Sequence, residues 1–289
     1  MNGILLIDKP AGWTSMDVCA KLRGAFRERR VGHSGTLDPM ATGLLVVFLG
    51  RATRAVEFAE ADEKSYVAGL RLGIVTDTQD TTGTVLETHE VNITEESMQT
   101  ALSGFRGELE QLPPMYSAIK IKGKPLYKAA RRGENVERSP RKITIHELYC
   151  TRTGEVDITL FVRCSKGTYI RTLCHDLGAA LGGGGAMSSL RRTRSGAFDL
   201  RDAHTLEAVV SAAEQGRAEE LLLPVDTLFR TVKRLELTPG QERAVRNGMA
   251  FTSAMPEGRY RVYGGRGEFL ALCEVSQGTM RTIKSFFEV

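Results

Sequence analysis

Six consecutive apolar residues, Leu44–Leu49, restrict the possible folds of this chain more than any other feature. Such a run suits a buried strand and is too short to cross a membrane. It follows a glycine-rich turn that contains Asp38 and Pro39. Glycine permits backbone conformations that a Cβ forbids, and proline fixes φ directly after the acid. The pattern predicts a rigid loop at a strand end that directs Asp38 and the imidazole of His33 toward a cavity.

Charge is distributed unevenly along the 289 residues. The net charge is only +4, but residues 120–142, the basic segment, contain nine basic and two acidic residues. The rest of the chain is therefore slightly acidic. A concentrated basic segment is typical of phosphate contacts, and a solvated charged loop is the alternative interpretation.

Cysteine usage and the N-terminal sequence indicate the cellular compartment. The five cysteines are scattered, with no C-x-x-C pair, which predicts reduced thiols and neither a zinc site nor a disulfide framework. The N-terminal apolar stretch is too short for a signal peptide, and no run is long enough to span a membrane. We expect a cytoplasmic protein without a bound metal.

Periodicity and capping residues predict the main elements. Strands are expected at 4–7, 44–49, 64–73 and 158–164. In the strand at 64–73, the side chains of Tyr66, Ala68, Leu70 and Leu72 should lie on one face. Thr14 or Ser15, Thr94 and Thr168 are the expected helix caps. After about residue 233 the pattern changes to short strands near 260–263, 269–275 and 280–287, typical of a small β-rich module.

Five short motifs stand out along the chain. Residues 32–44 read G-H-S-G-T-L-D-P-M-A-T-G-L, and residues 9–15 read K-P-A-G-W-T-S. The others are T-D-T-Q-D-T-T-G at 76–83, P-P-M-Y-S-A-I-K at 113–120 and S-K-G-T-Y-I-R-T-L at 165–173. All five resemble motifs of the TruB family of bacterial tRNA pseudouridine-55 synthases. Met187 departs from the family pattern, which commonly has histidine or tyrosine there. The resemblance is strong over residues 1–230 and weak beyond them.

The resemblance implies roles for individual residues. Asp38 would be the catalytic residue, paired with Arg171, and Tyr66 would pack on the target base. Tyr169 and Leu190 would complete the base pocket, and His33 would contact RNA. Contacts to the RNA backbone would come from Lys9, Lys120, Lys122, Lys124, Arg131 and Arg132.

The resemblance also implies a fold and an activity. The fold would be α/β (α+β), with a mixed, mainly antiparallel central sheet flanked by helices. Residues 1–232 would form the catalytic domain, with the basic segment as an RNA-binding insertion, and 233–289 a PUA-like RNA-binding domain. The implied activity is isomerisation of uridine-55 in the T-loop of tRNA by a cytoplasmic monomer, with base flipping and without cofactor or protein partner.

Three other functions are compatible with parts of the pattern. A guide-RNA-dependent pseudouridine synthase subunit would share the motifs, although such subunits usually carry longer terminal extensions. A non-catalytic tRNA-binding or tRNA-folding protein would have no need of an aspartate facing RNA. An unrelated hydrolase with Asp38 as nucleophile would require a second acid or a metal motif, and neither is present in the sequence.

Overall fold

A computed structural model describes residues 1–59, 63–121, 123–134, 136–152 and 154–287. The strands are β1 (Gly3–Lys9), β2 (Val31–Ser34), β3 (Thr42–Leu49), β4 (Glu63–Leu72), β5 (Ile74–Thr76), β6 (Val85–Thr88), β7 (Gly107–Gln111), β8 (Lys120–Ile121), β9 (Lys124–Pro125), β10 (Arg141–Arg152), β11 (Asp157–Ser165), β12 (Gly185–Ser195), β13 (Phe198–Asp199), β14 (His204–Thr205), β15 (Lys233–Glu236), β16 (Phe251–Thr252), β17 (Gly258–Tyr263), β18 (Phe269–Ser276) and β19 (Thr279–Ser285). The α-helices are α1 (Ser15–Phe26), α2 (Glu95–Gly104), α3 (Leu126–Ala130), α4 (Ile170–Ala180), α5 (Leu206–Glu214) and α6 (Pro239–Arg246). Short 3-10 helices lie at Gly50–Phe58, Leu200–Asp202, Ala218–Leu221 and Val225–Phe229.

The chain divides into two compact units. Unit 1 comprises Met1–Pro39, Leu44–Glu60 and Ala197–Val289, and unit 2 comprises Met40–Gly43 and Ala61–Gly196.

The apolar run of β3 is explained by burial on both of its faces. Within unit 1, β3 lies beside β1 and β2, and β1 pairs in parallel with β14. Leu44, Val46 and Phe48 pack into one apolar cluster, whereas Leu45 and Val47 pack into a second cluster that includes α1. A strand covered on both faces needs apolar residues at consecutive positions. The predicted buried strand is confirmed.

Helix α1 begins at a capping box. Thr14 accepts a hydrogen bond from the Asp17 backbone N–H, and the Asp17 side chain accepts one from the Thr14 backbone N–H. Thr14, one of the two expected caps, is therefore the N-cap. The buried residues Val18 and Leu22 keep helical spacing and face the second apolar cluster.

The predicted C-terminal strands are confirmed in a five-stranded sheet ordered β15-β17-β18-β19-β16. This sheet has a core of its own with Val262 and Leu270 at its centre. The ring centroids of Phe269 and Phe286 each lie 5.9 Å from that of Phe229, so this module also shares aromatic packing with the rest of unit 1. The boundary at 232/233 and the PUA-like identity of the module stay predictions.

Unit 2 is built on an antiparallel sheet ordered β12-β4-β11-β10-β7. Thr42 and Gly43 pair in parallel with Arg191 and Arg192 of β12, which makes the strand pairing mixed but mainly antiparallel, as predicted. Helices α2 and α4 pack on this sheet. The expected alternation of β4 is confirmed, because Tyr66, Ala68, Leu70 and Leu72 are buried.

The sequence prediction is wrong about the start of α4 and omits β12. Thr168 does not cap α4: its Oγ1 donates to the Ser165 carbonyl, and the N-cap is Tyr169, which has no side-chain capping bond.

The backbone at Gly43, in β3, lies very close to Arg192 of β12. Gly43 has φ +94°, and a Cβ there would lie 2.3 Å from the Arg192 carbonyl oxygen. Glycine is thus required where these two segments meet.

All five cysteines are free, and four of them are buried, as expected for reduced core thiols. Burial raises the pKa of the Cys174 thiol to about 12. In the described parts of the chain, no helix has the length and apolar character needed to cross a membrane.

Candidate active site

The loop that carries Asp38 is anchored on both sides of the acid. Ser15, the first residue of α1, accepts a hydrogen bond from the Leu37 N–H (2.9 Å) and donates to the Leu37 carbonyl (3.2 Å). The Pro39 carbonyl accepts from the Gly12 N–H at 2.8 Å. Leu37 is buried, whereas Asp38 itself is half-buried. The fixed neighbours therefore restrict the position of the carboxylate.

Lys9 lies in the same part of unit 1, in an unexpected environment. It is fully buried, and its ammonium donates to the carbonyls of Pro10 (2.9 Å), Trp13 (2.6 Å) and Pro39 (3.4 Å). A buried ammonium needs such acceptors to offset its lost hydration. The predicted contact of Lys9 with an RNA phosphate does not fit this placement. The side chain instead fastens the K-P-A-G turn to the Asp38 loop.

His33 lies on β2, opposite Val47 of β3, and is half-buried. It is separated from Asp38 by four residues of the motif, of which Leu37 is anchored. Both residues belong to unit 1.

Arg171 is the second residue of α4 and is buried, with 6% of its surface exposed. Its guanidinium donates to the Tyr116 carbonyl (2.7 Å) and the Thr78 carbonyl (3.2 Å), and Nε lies 3.9 Å from Oδ2 of Asp80. The guanidinium plane is thus fixed from several directions within unit 2. Asp38 belongs to unit 1, so the predicted Asp38–Arg171 pair stays a prediction.

Asp80 is a buried residue to which the sequence prediction assigned no role. Its Oδ1 accepts hydrogen bonds from the Thr78 hydroxyl (2.9 Å) and the Thr82 N–H (3.0 Å), and its Oδ2 faces Arg171. The T-D-T-Q-D-T-T-G motif was the available signal, because its closely spaced hydroxyls are suited to bind a carboxylate.

The same loop is attached to β12 through Met187. The Met187 N–H donates to the Gln79 carbonyl (3.0 Å), and the Thr81 N–H donates to the Met187 carbonyl (2.9 Å). Both contacts use the backbone, so they are independent of the side chain by which this chain departs from the family pattern. The Met187 side chain is fully buried.

The structure brings two predicted base-pocket residues together on the sheet of unit 2. Leu190 of β12 pairs with Ala68 of β4, and Arg192 pairs with Tyr66. Directly paired residues project from the same face, so Tyr66 and Leu190 are diagonal neighbours on one face of the sheet. Tyr66 is 9% and Leu190 is 8% exposed.

The described part of the basic segment combines a short hairpin, β8 and β9, with helix α3. Lys124, Arg131 and Arg132 are exposed. The Arg131 guanidinium lies 5.5 Å from the Tyr127 ring centroid, and Arg132 pairs with Glu134 at 2.7 Å, which raises the Arg132 pKa. Lys120 lies in β8. Lys122 lies outside the described residues.

Two family models match the chain. The model described as TruB family pseudouridylate synthase (N terminal domain) matches residues 23–170. The model described as tRNA pseudouridylate synthase B C-terminal domain matches residues 171–230.

Similar proteins were found by sequence and by structure. Proteins named tRNA pseudouridine synthase B from Azoarcus sp. (strain BH72) and Syntrophotalea carbinolica are 44% and 42% identical, over 97% and 100% of this chain and 93% and 97% of their own lengths. A chain in the crystal structure of a Cbf5-Nop10-Gar1 complex matches with a TM-score of 0.74 at 26% identity, over 99% of this chain and 85% of that chain.

Proposed function

The chain belongs to the TruB family of pseudouridylate synthases, and we propose that it acts on tRNA and isomerises uridine-55 of the T-loop to pseudouridine. The main support is the complete motif around Asp38, whose neighbours Leu37 and Pro39 are both anchored by hydrogen bonds. The names of the relatives support tRNA as the substrate class.

The proposed reaction breaks the N1–C1′ bond, turns the uracil and joins C5 to C1′, while the proton on C5 moves to N1. Every atom and electron of the nucleoside is retained, so the proposed reaction uses no cofactor. Asp38 would supply an ionised carboxylate beside the ribose and base. Attack on C1′, attack on the ring and removal of a sugar proton each fit that role.

Arg171 would pair with Asp38, orient it by charge-assisted hydrogen bonds and keep it ionised in the pocket. This role requires a guanidinium held in a fixed position. The hydrogen bonds from Arg171 to the Tyr116 and Thr78 carbonyls hold it in this way. The target base would leave its stack, and contact with Tyr66, Tyr169 and Leu190 would offset much of that cost at about 1–3 kcal/mol per stacked base.

Binding of the folded RNA would use His33 near the base and basic side chains that contact the phosphates. The proposed phosphate contacts are Lys120, Lys122, Lys124, Arg131 and Arg132. The C-terminal module would add contacts to RNA shape. We place the enzyme in the cytoplasm, as a monomer that acts without a protein partner.

The Asp38→Asn variant tests the proposal. The purified full chain, in chelator and without guide RNA, should convert one uridine in an unmodified tRNA transcript. The variant keeps the shape of the side chain but not its charge, so its single-turnover rate should fall by about 10⁴-fold or more, with tRNA affinity within about 2-fold. Retained turnover would show that Asp38 is not the essential acid.

A subunit role is the second candidate, because one structural neighbour is a chain in the crystal structure of a Cbf5-Nop10-Gar1 complex. Conversion that requires an added guide RNA would favour it. Tight tRNA binding by wild-type protein without conversion under any condition would favour the non-catalytic alternative.

A further inference from the structure

Gln111, the last residue of β7, makes an unusual contact with a single distant residue. Its Nε2 donates to the Tyr169 carbonyl at 3.0 Å, and its Oε1 accepts from the Tyr169 N–H at 2.8 Å. Gln111 is 5% exposed. An amide that binds both the N–H and the C=O of one residue reproduces the pairing of a neighbouring strand. This pairing fixes the orientation of the Tyr169 backbone.

Tyr169 occupies a position that lacks the usual local restraint. It is the N-cap of α4, with φ −97° and ψ 110°, and makes no side-chain capping bond. Its carbonyl also accepts from the Leu173 N–H, so the Gln111 amide and the first helical turn meet at one residue. The Gln111 side chain thus supplies a tertiary substitute for a cap.

The chain that follows Gln111 also reaches Arg171. We name residues 111–117 the strap. Its Tyr116 carbonyl accepts the 2.7 Å bond from Arg171, and its Pro113 carbonyl accepts a bond from Arg138 of the basic segment at 2.9 Å. One short segment therefore engages Tyr169 at its first residue and Arg171 near its last.

We propose that Gln111 is a positioning residue for the reaction, which sets the orientation of Tyr169 against the target base and, through the strap, that of the Arg171 guanidinium. This inference rests on the proposed function of those two residues. Because Gln111 is buried, it acts through them and not by touching RNA. Small displacements of groups at a reacting centre are known to cost about 100-fold in rate. Loss of the two hydrogen bonds between Gln111 and Tyr169 should therefore lower the reaction rate measurably.

The test compares Gln111→Met with Arg106→Met in the full chain. Methionine keeps the volume of glutamine and removes both hydrogen bonds. Arg106, directly before β7, also makes two side-chain bonds to the backbone, from Nε and a terminal nitrogen to the Leu148 carbonyl, and none to α4. It is therefore a control for the loss of two such bonds in the same unit. The measurements are single-turnover conversion of a tRNA transcript, tRNA dissociation constant and unfolding midpoint.

The expected result is a rate reduced by about 10- to 100-fold in Gln111→Met, with tRNA affinity within about 3-fold, and a rate in Arg106→Met within about 2-fold of wild type. If Gln111→Met does not fold, Gln111→Glu, which retains the acceptor for the Tyr169 N–H, should show the same separation of rate from affinity. An unchanged rate in the folded variant, or equal rate losses in Gln111→Met and Arg106→Met, would overturn the inference. Inactive wild-type protein would instead overturn the proposed function.

Discussion

The Asp38 loop of unit 1 is anchored by buried side chains, whereas the basic segment of unit 2 presents charge on exposed ones. Lys9 and Ser15 are 0% and 1% exposed and bind the backbone around Leu37 and Pro39. In the basic segment, the Leu126 and Tyr127 N–H groups bind the carbonyls of Ile119 and Ser117. The side chains of Lys124, Arg131 and Arg132 are exposed.

This difference matches two kinds of physical requirement. The reacting role proposed for Asp38 requires its carboxylate to be held to within a fraction of an ångström, which buried anchors provide. Attraction between cations and phosphates acts over about 8–10 Å and tolerates movement of the side chains. Changes to the loop should therefore alter stability and rate, whereas changes to the segment should alter affinity.

Among the changes that test this comparison, Lys9→Met is expected to have the largest effect. The change leaves the carbonyls of Pro10, Trp13 and Pro39 without their shared buried donor. We expect the free energy of unfolding to fall by about 3 kcal/mol and the single-turnover rate by about 100-fold. Urea denaturation and rapid-quench assays measure these quantities. Lys21→Met, at an exposed position of α1, is the control and should leave both unchanged. If Lys9→Met reacts at the wild-type rate, anchoring of the Asp38 loop by Lys9 does not contribute to the reaction rate.

A smaller, different effect is expected when Lys124, Arg131 and Arg132 are all changed to glutamine. Affinity for tRNA at low salt should fall about 10-fold, and the slope of log affinity against log salt should become shallower by about 0.7–0.9 per lost phosphate contact. The single-turnover rate at saturating protein should stay within about 2-fold. Arg201→Gln with Arg217→Gln, which removes two positive charges at exposed positions of unit 1, is the control. A reduced saturating rate with unchanged salt dependence would contradict the assignment.

The smallest effect concerns acid sensitivity of the helix that carries Ser15. Hydrogen bonds from the Thr14 hydroxyl and N–H hold the pKa of Asp17 below its ordinary value. A lowered folded-state pKa gives stability that is present above the unfolded pKa of about 3.9 and is lost as pH falls through the folded value. Asp17→Asn should flatten the acid side of the melting-temperature profile, measured by calorimetry. Asp202→Asn is the control, and an identical flattening there would contradict the expectation.

Local patterns predicted the elements whose burial is either continuous or alternates along the chain. The strand at 44–49 and the alternation from Tyr66 to Leu72 follow directly from which faces are covered. Helix α2 has its predicted cap, Thr94, with two glutamates in the first turn. Such features depend on neighbours within a few residues, which the sequence displays.

Contacts between distant residues explain what was missed. A lysine at the end of a strand is usually exposed, but Lys9, the last residue of β1, is buried partly because Pro39 lies close in the fold. Strand β12 follows a glycine run and contains Arg191 and Arg192, a composition typical of a loop, yet Arg192 is 1% exposed. The surroundings of Asp80 and Gln111 likewise depend on Arg171 and Tyr169, at the start of α4 and remote in sequence.

The closeness of Gly43 to the Arg192 carbonyl has a consequence for the interpretation of variation among homologues. No side chain, however small, fits at position 43 without moving one of the two backbones, and the positive φ adds a second penalty. Purifying selection should therefore keep glycine there as strictly as it would keep a catalytic Asp38, five positions earlier. An alignment alone would rank the two columns together, although only one of them holds a group capable of chemistry.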